Sequence, residues 1–332
     1  MTILEFELGL SQLRAELDEL QRDGNGSPGR IERLKQRLKN ETDAVFAELT
    51  DWDRVQLARH PDRPHTLDYA NWCFSGFIEL HGDRNFGDDP AIVGGPARLG
   101  EQSVMLIGHQ KGSDARDNLA RNFGMASPEG FRKARRLMLL AEKFALPVIT
   151  LLDIPGASPV LEAEERGQAW AIADNLLTMA GLRTPILTIV IGEGGSGGAL
   201  ALGMGDRVLM QENTIYSVAS PEGAASIVWR DYKYAETAAE ALKLTPRHLI
   251  ELGVIDGIVA EPPGGAHTDG QEAARLLRET LTAQLDELTA IPTASLLEAR
   301  HAKYRAMGVE HLRRDPTAGK SGPDEDGGPN RG

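Results

Sequence analysis

Residues 189–201 read Ile189-Val190-Ile191-Gly192-Glu193-Gly194-Gly195-Ser196-Gly197-Gly198-Ala199-Leu200-Ala201, an apolar run that leads through five glycines into a helical Ala/Leu pattern. Glycine loses much conformational freedom on folding, so a cluster of glycines between two regular elements requires a reason. One reason is close packing of strand on helix. Another is a ligand that approaches the backbone, with N–H groups at a helix start directed at negative charge. The segment therefore predicts a strand, a tight turn and a helix, with an anion or oxyanion site at the turn.

Around this segment, short β-branched runs alternate with helical patterns from about residue 66 to 270. This alternation predicts an α/β fold with buried strands. Two copies of one helix-start signal, Ser as N-cap followed by Pro, occur at 127–130 and 220–223 and hint at repeated ββα layers. The predicted strands are 104–107, 148–152, 186–191, 208–210, 215–218 and 254–259.

The N-terminal region has a different pattern. Leucines recur at helical spacing from Leu10 to Leu20, a Gly/Asn/Pro segment interrupts them, and a second apolar stripe begins at Ile31. This predicts a helical hairpin whose narrow stripes need a surface to pack on, and we expect a docking or oligomerisation arm rather than a regulatory coiled coil. The predicted organisation is a hairpin over 1–60, an α/β domain over 61–290, a C-terminal helix over 291–314 and a disordered, Gly/Pro-rich tail over 315–332.

Composition excludes several function classes. The net charge of −13 argues against nucleic acid or an anionic membrane as the main partner. No apolar run reaches the roughly 18 residues of a membrane span, and the start of the chain does not resemble a signal peptide. Cys73 is the only cysteine in the sequence, which excludes an internal disulfide and a cysteine zinc cluster. We expect a cytoplasmic protein.

The glycine run also fits G-x-S-x-G, the nucleophile elbow of α/β-hydrolases, with Ser196 as nucleophile and His267 downstream. The alternative for His267 is a surface turn, because it follows Pro-Pro-Gly-Gly-Ala. A phosphate-binding P-loop is excluded because no lysine follows the glycines. His109 is expected to be a hydrogen-bonded or capping residue, and Glu193 and Glu222 to be structural.

A series of longer motifs carries a family resemblance. In chain order they are Gly82-Asp83-Arg84, Ala91-Ile92-Val93-Gly94-Gly95, Ile107-Gly108-His109-Gln110-Lys111-Gly112, Arg121-Asn122-Phe123-Gly124-Met125, Pro128-Glu129-Gly130, Ala163-Glu164-Glu165-Arg166-Gly167-Gln168, the glycine run and Tyr216-Ser217-Val218-Ala219-Ser220-Pro221-Glu222-Gly223. Together they resemble the carboxyltransferase α subunits of bacterial multisubunit acetyl-CoA carboxylases, almost continuously from about residue 50 to 270.

This resemblance implies a crotonase-like (ClpP/crotonase) spiral of ββα units. It also implies an α2β2 heterotetramer, with a β subunit that carries a zinc ribbon and most of the acyl-CoA site. Carboxybiotin would arrive on a separate biotin carboxyl carrier protein, charged by biotin carboxylase within the ATP-binding complex. Its carboxyl group would pass to acetyl-CoA to give malonyl-CoA for fatty acid biosynthesis. No metal is expected in this chain.

By position in the family motif, Gly197 and Gly198 are expected to form a backbone oxyanion hole for the biotin ureido oxygen. Two preorganised N–H groups stabilise such developing charge, and losing one typically costs about 3 kcal/mol. The further residues expected to bind substrate or biotin are Gly194, Gly195, Ser196, Gly156, Ala157 and Ser158.

The loop before the Glu-Glu-Arg-Gly-Gln helix departs from the family. The family has Thr-Pro-Gly-Ala-Tyr-Pro-Gly, whereas this chain has Ile154-Pro155-Gly156-Ala157-Ser158-Pro159-Val160. An aromatic residue and a glycine are lost beside the expected site. A divergent paralogue that carboxylates another acyl-CoA in a specialised pathway therefore stands as an alternative to the fatty-acid enzyme.

Overall fold

A mixed β-sheet forms the centre of the protein, which is described by a computed structural model over residues 2–22 and 27–308. In these ranges the strand order is β1-β2-β3-β4-β5-β7, with β6 paired to β4. The strands β1 and β2 pair antiparallel, and the other pairs are parallel. The strands are β1 Ile92–Leu99, β2 Gln102–His109, β3 Val148–Ile154, β4 Ile186–Gly195, β5 Arg207–Gln211, β6 Ile215–Ser217 and β7 Gly257–Val259.

Helices cover both faces of this sheet, and the predicted α/β class is confirmed. One core cluster joins the sheet to α6, α8 and α9, and a second joins it to α4 and α13 on the opposite face. None of the helices in the described ranges is long and apolar enough to cross a bilayer. The helices are α1 Leu8–Arg22, α2 Pro28–Ala47, α3 Asp51–Ala58, α4 Thr66–Cys73, α5 Ala115–Ala120, α6 Pro128–Lys143, α7 Leu161–Glu165, α8 Gln168–Gly181, α9 Ser196–Gly203, α10 Pro221–Val228, α11 Ala235–Leu242, α12 Pro246–Glu251, α13 Gly270–Thr289 and α14 Thr293–Ala306.

The strand β4 is the branch point of the sheet. Its first half pairs with β5 from Leu187 to Val190, and its last three residues pair with β6. On its other side, the register against β3 shifts, since Leu152 pairs with Val190 but Ile154 pairs with Gly194. Such a bulge bends a strand and redirects the residues after it. The glycine turn at the end of β4 is therefore directed away from the regular ladder.

The N-terminal region contains the helices α1 and α2, and it contacts the body of the same chain. Leu10 and Leu13 are buried, and the Phe6 and Phe46 rings meet edge to face. Just before α1, Glu7 contacts His267 of the body. The arm therefore docks on its own domain. The predicted disordered tail at 315–332 lies outside the described residues.

The two Ser-Pro helix starts differ in detail. The Ser220 hydroxyl accepts a hydrogen bond from the Gly223 N–H, as an N-cap should. Ser127 precedes α6 without a side-chain cap, and its own N–H donates to Asp89 instead. Both predicted helix starts are confirmed, with Ser127 and Ser220 at the N-cap positions and Pro in the first turn, but only Ser220 caps its helix with its side chain.

Candidate active site

The glycine turn forms the junction between β4 and α9. Ser196 is the first residue of α9 and has a left-handed φ of 51°. The first N–H groups of a helix have no partner within it. Among the described residues, the N–H groups of Gly197 and Gly198 donate to no other backbone group. The turn thus presents two donors without backbone partners at a helix N-terminus.

A second loop lies directly against this turn. A Cβ added at Gly195 would fall 2.1 Å from the Pro155 carbonyl oxygen, and one at Gly198 would fall 2.8 Å from the Ala157 nitrogen. Both glycines are therefore required by backbone packing. The N–H of Ala157 also donates to no backbone acceptor in the described ranges. The 155–157 loop therefore lies against the turn, with the Ala157 nitrogen next to Gly198.

The other expected binding residues have different surroundings. A Cβ at Gly194 would meet the Tyr216 ring at 2.7 Å, whereas one at Gly156 would meet nothing within 4 Å. Ser158 is buried, its N–H donates to Ala126, and its hydroxyl accepts from the Asn122 amide at 3.2 Å. Its hydroxyl is thus engaged inside the protein.

An apolar cavity of about 430 Å³ opens beside the turn. This volume lies within the range of small-molecule pockets. Gly197 faces it with space to spare, because a Cβ there would meet only Ile172 at 3.6 Å. The lining includes Ser196, Gly197, Leu200, Tyr216, Val218 and Tyr304.

Charged side chains lie at the carboxyl ends of β2, β3 and β4. The Lys111 ammonium contacts Asp153 Oδ1 at 2.7 Å and Glu193 Oε2 at 2.9 Å. The Arg59 guanidinium joins Glu193 to Glu222, with N–O distances of 2.6 and 2.5 Å. Both glutamates are thus ion-paired, as a structural role requires. We call Lys111, Asp153 and Glu193 the Lys111 cluster.

Lys111 and Asp153 stay charged although both are mostly buried. Burial alone would raise the pKa of Asp153, but the Lys111 ammonium and the hydrogen bond from His65 hold it far below its ordinary value. Burial opposes the charge on Lys111 as well, and the two carboxylates outweigh it and raise its pKa. Sequence reasoning did not assemble this group, because Lys111 and Asp153 are distant in sequence.

His109 lies fully buried at the end of β2. Neither ring nitrogen has a hydrogen-bond partner within the described part of the chain. Burial lowers its pKa from 6.5 to about 3, a shift that the nearby Asp153 carboxylate only partly opposes, so the ring is neutral. The prediction of a hydrogen-bonded or capping histidine is therefore wrong.

His267 lies beneath the N-terminal arm. It is 6% exposed, its Nε2 lies 3.0 Å from Glu7 Oε1, and its ring stacks on His60 at 4.1 Å between centroids. The prediction of a surface turn is wrong, because the arm covers this segment. Glu7, His60 and His267 form a cluster whose possible ligand atoms lie within 4.8 Å of one another, so by position these residues could hold a metal ion. However, both nitrogens of His60 already bond the Thr2 carbonyl and the Asp62 N–H.

Of the features that a serine hydrolase needs, the described residues show only the backbone conformation of the nucleophile. The left-handed φ of Ser196 is what a nucleophile elbow requires. Its expected base, His267, is bonded to Glu7 instead. His109, buried in the same region, has no bond to any hydroxyl. A serine nucleophile needs a base within hydrogen-bond reach, and none is placed there in the described residues.

Solved structures with a similar fold are carboxyltransferases and decarboxylases of the crotonase-like class. Transcarboxylase 12S with methylmalonyl-coenzyme A bound matches 69% of this chain and 42% of its own, with a TM-score of 0.57 and 19% identity. A Pseudomonas malonate decarboxylase hetero-tetramer in complex with coenzyme A matches 75% of this chain and 98% of its own, with a TM-score of 0.56 and 19% identity. The fold is therefore crotonase-like, as predicted.

Within this class, the chain belongs to the acetyl co-enzyme A carboxylase carboxyltransferase-like family, whose profile matches residues 3–308. It is 52% identical over 318 residues to the acetyl-coenzyme A carboxylase carboxyl transferase subunit alpha of Chlorobaculum parvum, covering 92% of this chain and 95% of that protein. It is 50% identical over 313 residues to the corresponding subunit of Methylococcus capsulatus, covering 93% and 98%. The family resemblance seen in the sequence is confirmed.

Proposed function

We propose that this protein is the α subunit of an acetyl-CoA carboxylase carboxyltransferase, which transfers the carboxyl group of carboxybiotin to acetyl-CoA. The observation that carries the proposal is the set of N–H groups without backbone partners at the glycine turn, beside an apolar cavity. Family membership supports the same reaction.

The turn fits the ureido end of biotin. Gly197 has space on the cavity side, whereas Gly198 is packed on the 155–157 loop. The backbone N–H groups of the turn can therefore approach the oxygen of the planar ureido group without side chains between them. The cavity beside them is mostly apolar, which suits the sulfur ring and alkyl chain of biotin.

When bound, carboxybiotin supplies the carboxyl group and a nitrogen that can accept a proton. The chain's own part is electrostatic. In this proposal, the N–H groups of Gly197 and Gly198 stabilise the negative charge that develops on the ureido oxygen, and the dipole of α9 adds to their effect. Because these donors are fixed before the reaction, they need no reorganisation during it. No side-chain base of this chain is required, which agrees with the absence of a free carboxylate at the turn in the described residues.

A β subunit, and with it an α2β2 assembly, belongs to this proposal. The rim of the cavity is apolar and exposed, with Val218 76% and Leu200 47% exposed. Two further exposed residues, Trp170 and Leu177, project from α8. Exposed apolar surface around a cavity is typical of a surface that a partner covers. We infer that the β subunit completes the site and supplies the acyl-CoA contacts, with the biotin carrier entering between the two.

The test is a subunit-mixing assay of the reverse reaction. The purified chain alone should not decarboxylate malonyl-CoA, and adding the β subunit of the same organism should give turnover that depends on free biotin. Propionyl- and methylmalonyl-CoA in parallel would separate the fatty-acid enzyme from the paralogue alternative. Turnover by the single chain, or turnover that does not need biotin, would contradict the proposal.

A further inference from the structure

The Lys111 cluster connects three neighbouring parallel strands just before the glycine turn. Lys111 follows β2 by two residues, Asp153 lies near the end of β3, and Glu193 lies near the end of β4. The side chains of Asp153 and Glu193 are 3% and 8% exposed, and that of Lys111 is 14% exposed. Charges so placed lose hydration, and apolar residues of similar volume are often equally stabilising. Stability alone therefore does not explain the cluster.

The cluster supplies a hydrogen-bond acceptor at the point where the register between β3 and β4 shifts. Between the pairs Leu152–Val190 and Ile154–Gly194 the ladder is interrupted. There the carboxylate of Asp153 accepts the Glu193 N–H at 3.1 Å. A Cβ at Gly192 would fall 2.3 Å from the same carboxylate, so side chain and backbone are in close contact.

Lys111 fixes the two carboxylates relative to each other. Its ammonium bonds Asp153 on β3 and Glu193 on β4. Its stem packs on Gly124, where an added Cβ would meet Lys111 Cγ at 2.8 Å. The 155–157 loop begins two residues after Asp153, and the glycine turn continues immediately after Glu193. Any relative movement of Asp153 and Glu193 is thus transmitted to the two loops that carry the N–H donors.

We propose that Lys111 is a positioning residue for carboxyl transfer, which holds the glycine turn against the 155–157 loop through Asp153 and Glu193. The expected effect on the reaction rate rests on the proposed function, whereas the expected effect on the position of the glycine turn does not. Misplacing a reacting group by about 1 Å can cost about 100-fold in rate. Lys111 does not line the cavity beside the turn, and its ammonium is taken up by Asp153 and Glu193. Its loss should therefore change the rate of the reaction more than the affinity for acyl-CoA.

The test compares Lys111→Met with Lys133→Met in the assembled enzyme. Lys133 is a matched control, because its buried ammonium also makes two bonds, to Asp88 at 2.6 Å and to the Asp89 carbonyl at 2.8 Å, and none to the turn. In malonyl-CoA decarboxylation with free biotin, Lys111→Met should lower kcat about 30-fold and leave the KM for malonyl-CoA within about twofold. Lys133→Met should retain the wild-type kcat per folded molecule.

Hydrogen exchange tests the structural part without activity. The backbone amides of residues 192–198 should exchange at least about tenfold faster in Lys111→Met than in the wild type. In Lys133→Met their exchange rates should equal those of the wild type. Unchanged exchange, or an unchanged kcat, would overturn the positioning role. If Lys111→Met does not fold, the isosteric Glu193→Gln decides by the same two measurements. A wild-type complex without turnover would overturn the proposed function, while the exchange measurement would still decide the role of Lys111.

Discussion

Replacing His109 by phenylalanine should remove a source of acid lability from this protein. The ring is fully buried, and burial lowers its pKa from 6.5 to about 3. Unfolding exposes the ring and restores the ordinary pKa near 6.5. At a pH between these two values, the unfolded chain binds a proton that the folded protein excludes. The free energy of unfolding therefore falls as the pH is lowered below about 6.5.

The size of the effect can be worked out from the two pKa values. Between about pH 7.5 and about pH 5, His109 alone should cost roughly 2 kcal/mol of stability. Phenylalanine cannot take up a proton, and the two ring nitrogens of His109 have no partners to lose within the described ranges. His109→Phe should therefore lie within about 1 kcal/mol of the wild type at the higher pH. At the lower pH it should be more stable than the wild type by about 2 kcal/mol.

Urea unfolding at the two pH values measures this difference directly. His81→Gln is the control, because the His81 side chain is 64% exposed and a surface substitution usually changes stability by no more than about 0.5 kcal/mol. The comparison between variants cancels the contribution of all other titrating groups. If His109→Phe and the wild type lose the same stability between the two pH values, His109 is not a buried neutral histidine.

The remaining predictions concern the turn and the arm. Gly198→Ala places a Cβ 2.8 Å from the Ala157 nitrogen, whereas the Cβ of Gly197→Ala has only an ordinary contact. Gly198→Ala should therefore lower kcat at least tenfold more than Gly197→Ala. Equal losses in steady-state assays would contradict the packing argument. Ser196→Ala should retain most of the activity, and a fluorophosphonate probe should not label the wild type; labelling at Ser196 would restore the hydrolase alternative. Glu7→Gln should destabilise the protein by about 1–3 kcal/mol and speed proteolysis of the arm. Burial opposes the charge, but the His267 contact holds the pKa of Glu7 below its ordinary 4.5, so this contribution is present above about pH 4.5 and lost below it. A pH-independent difference from wild type would refute the pairing.

Local sequence signals identified the elements that carry the site. The glycine run predicted a strand, a turn and a helix, and the structure has β4 ending at Gly195 and α9 beginning at Ser196. These signals are local, because apolar periodicity and glycine content depend only on neighbouring residues. The sequence motifs also identified the family, which the relatives confirm.

The strand β1 shows where local signals fail. Gly94-Gly95-Pro96 interrupts its apolar pattern, and the pattern does not predict a strand there. In the structure a Cβ at Gly95 would fall 1.9 Å from the Ile78 carbonyl oxygen, so the glycine is needed by a segment outside β1. A residue chosen for a distant neighbour weakens the local propensity signal.

The sequence by itself determined the fold class, the glycine turn and the family. Only the tertiary structure decided which side chains meet. The parallel order of β2, β3 and β4 brings Lys111, Asp153 and Glu193 to one edge of the sheet, and the docked arm turns His267 from an expected surface residue into a buried partner of Glu7. Strand order and arm docking arise from contacts between residues far apart in the chain, and no local pattern encodes which distant segments will pack together.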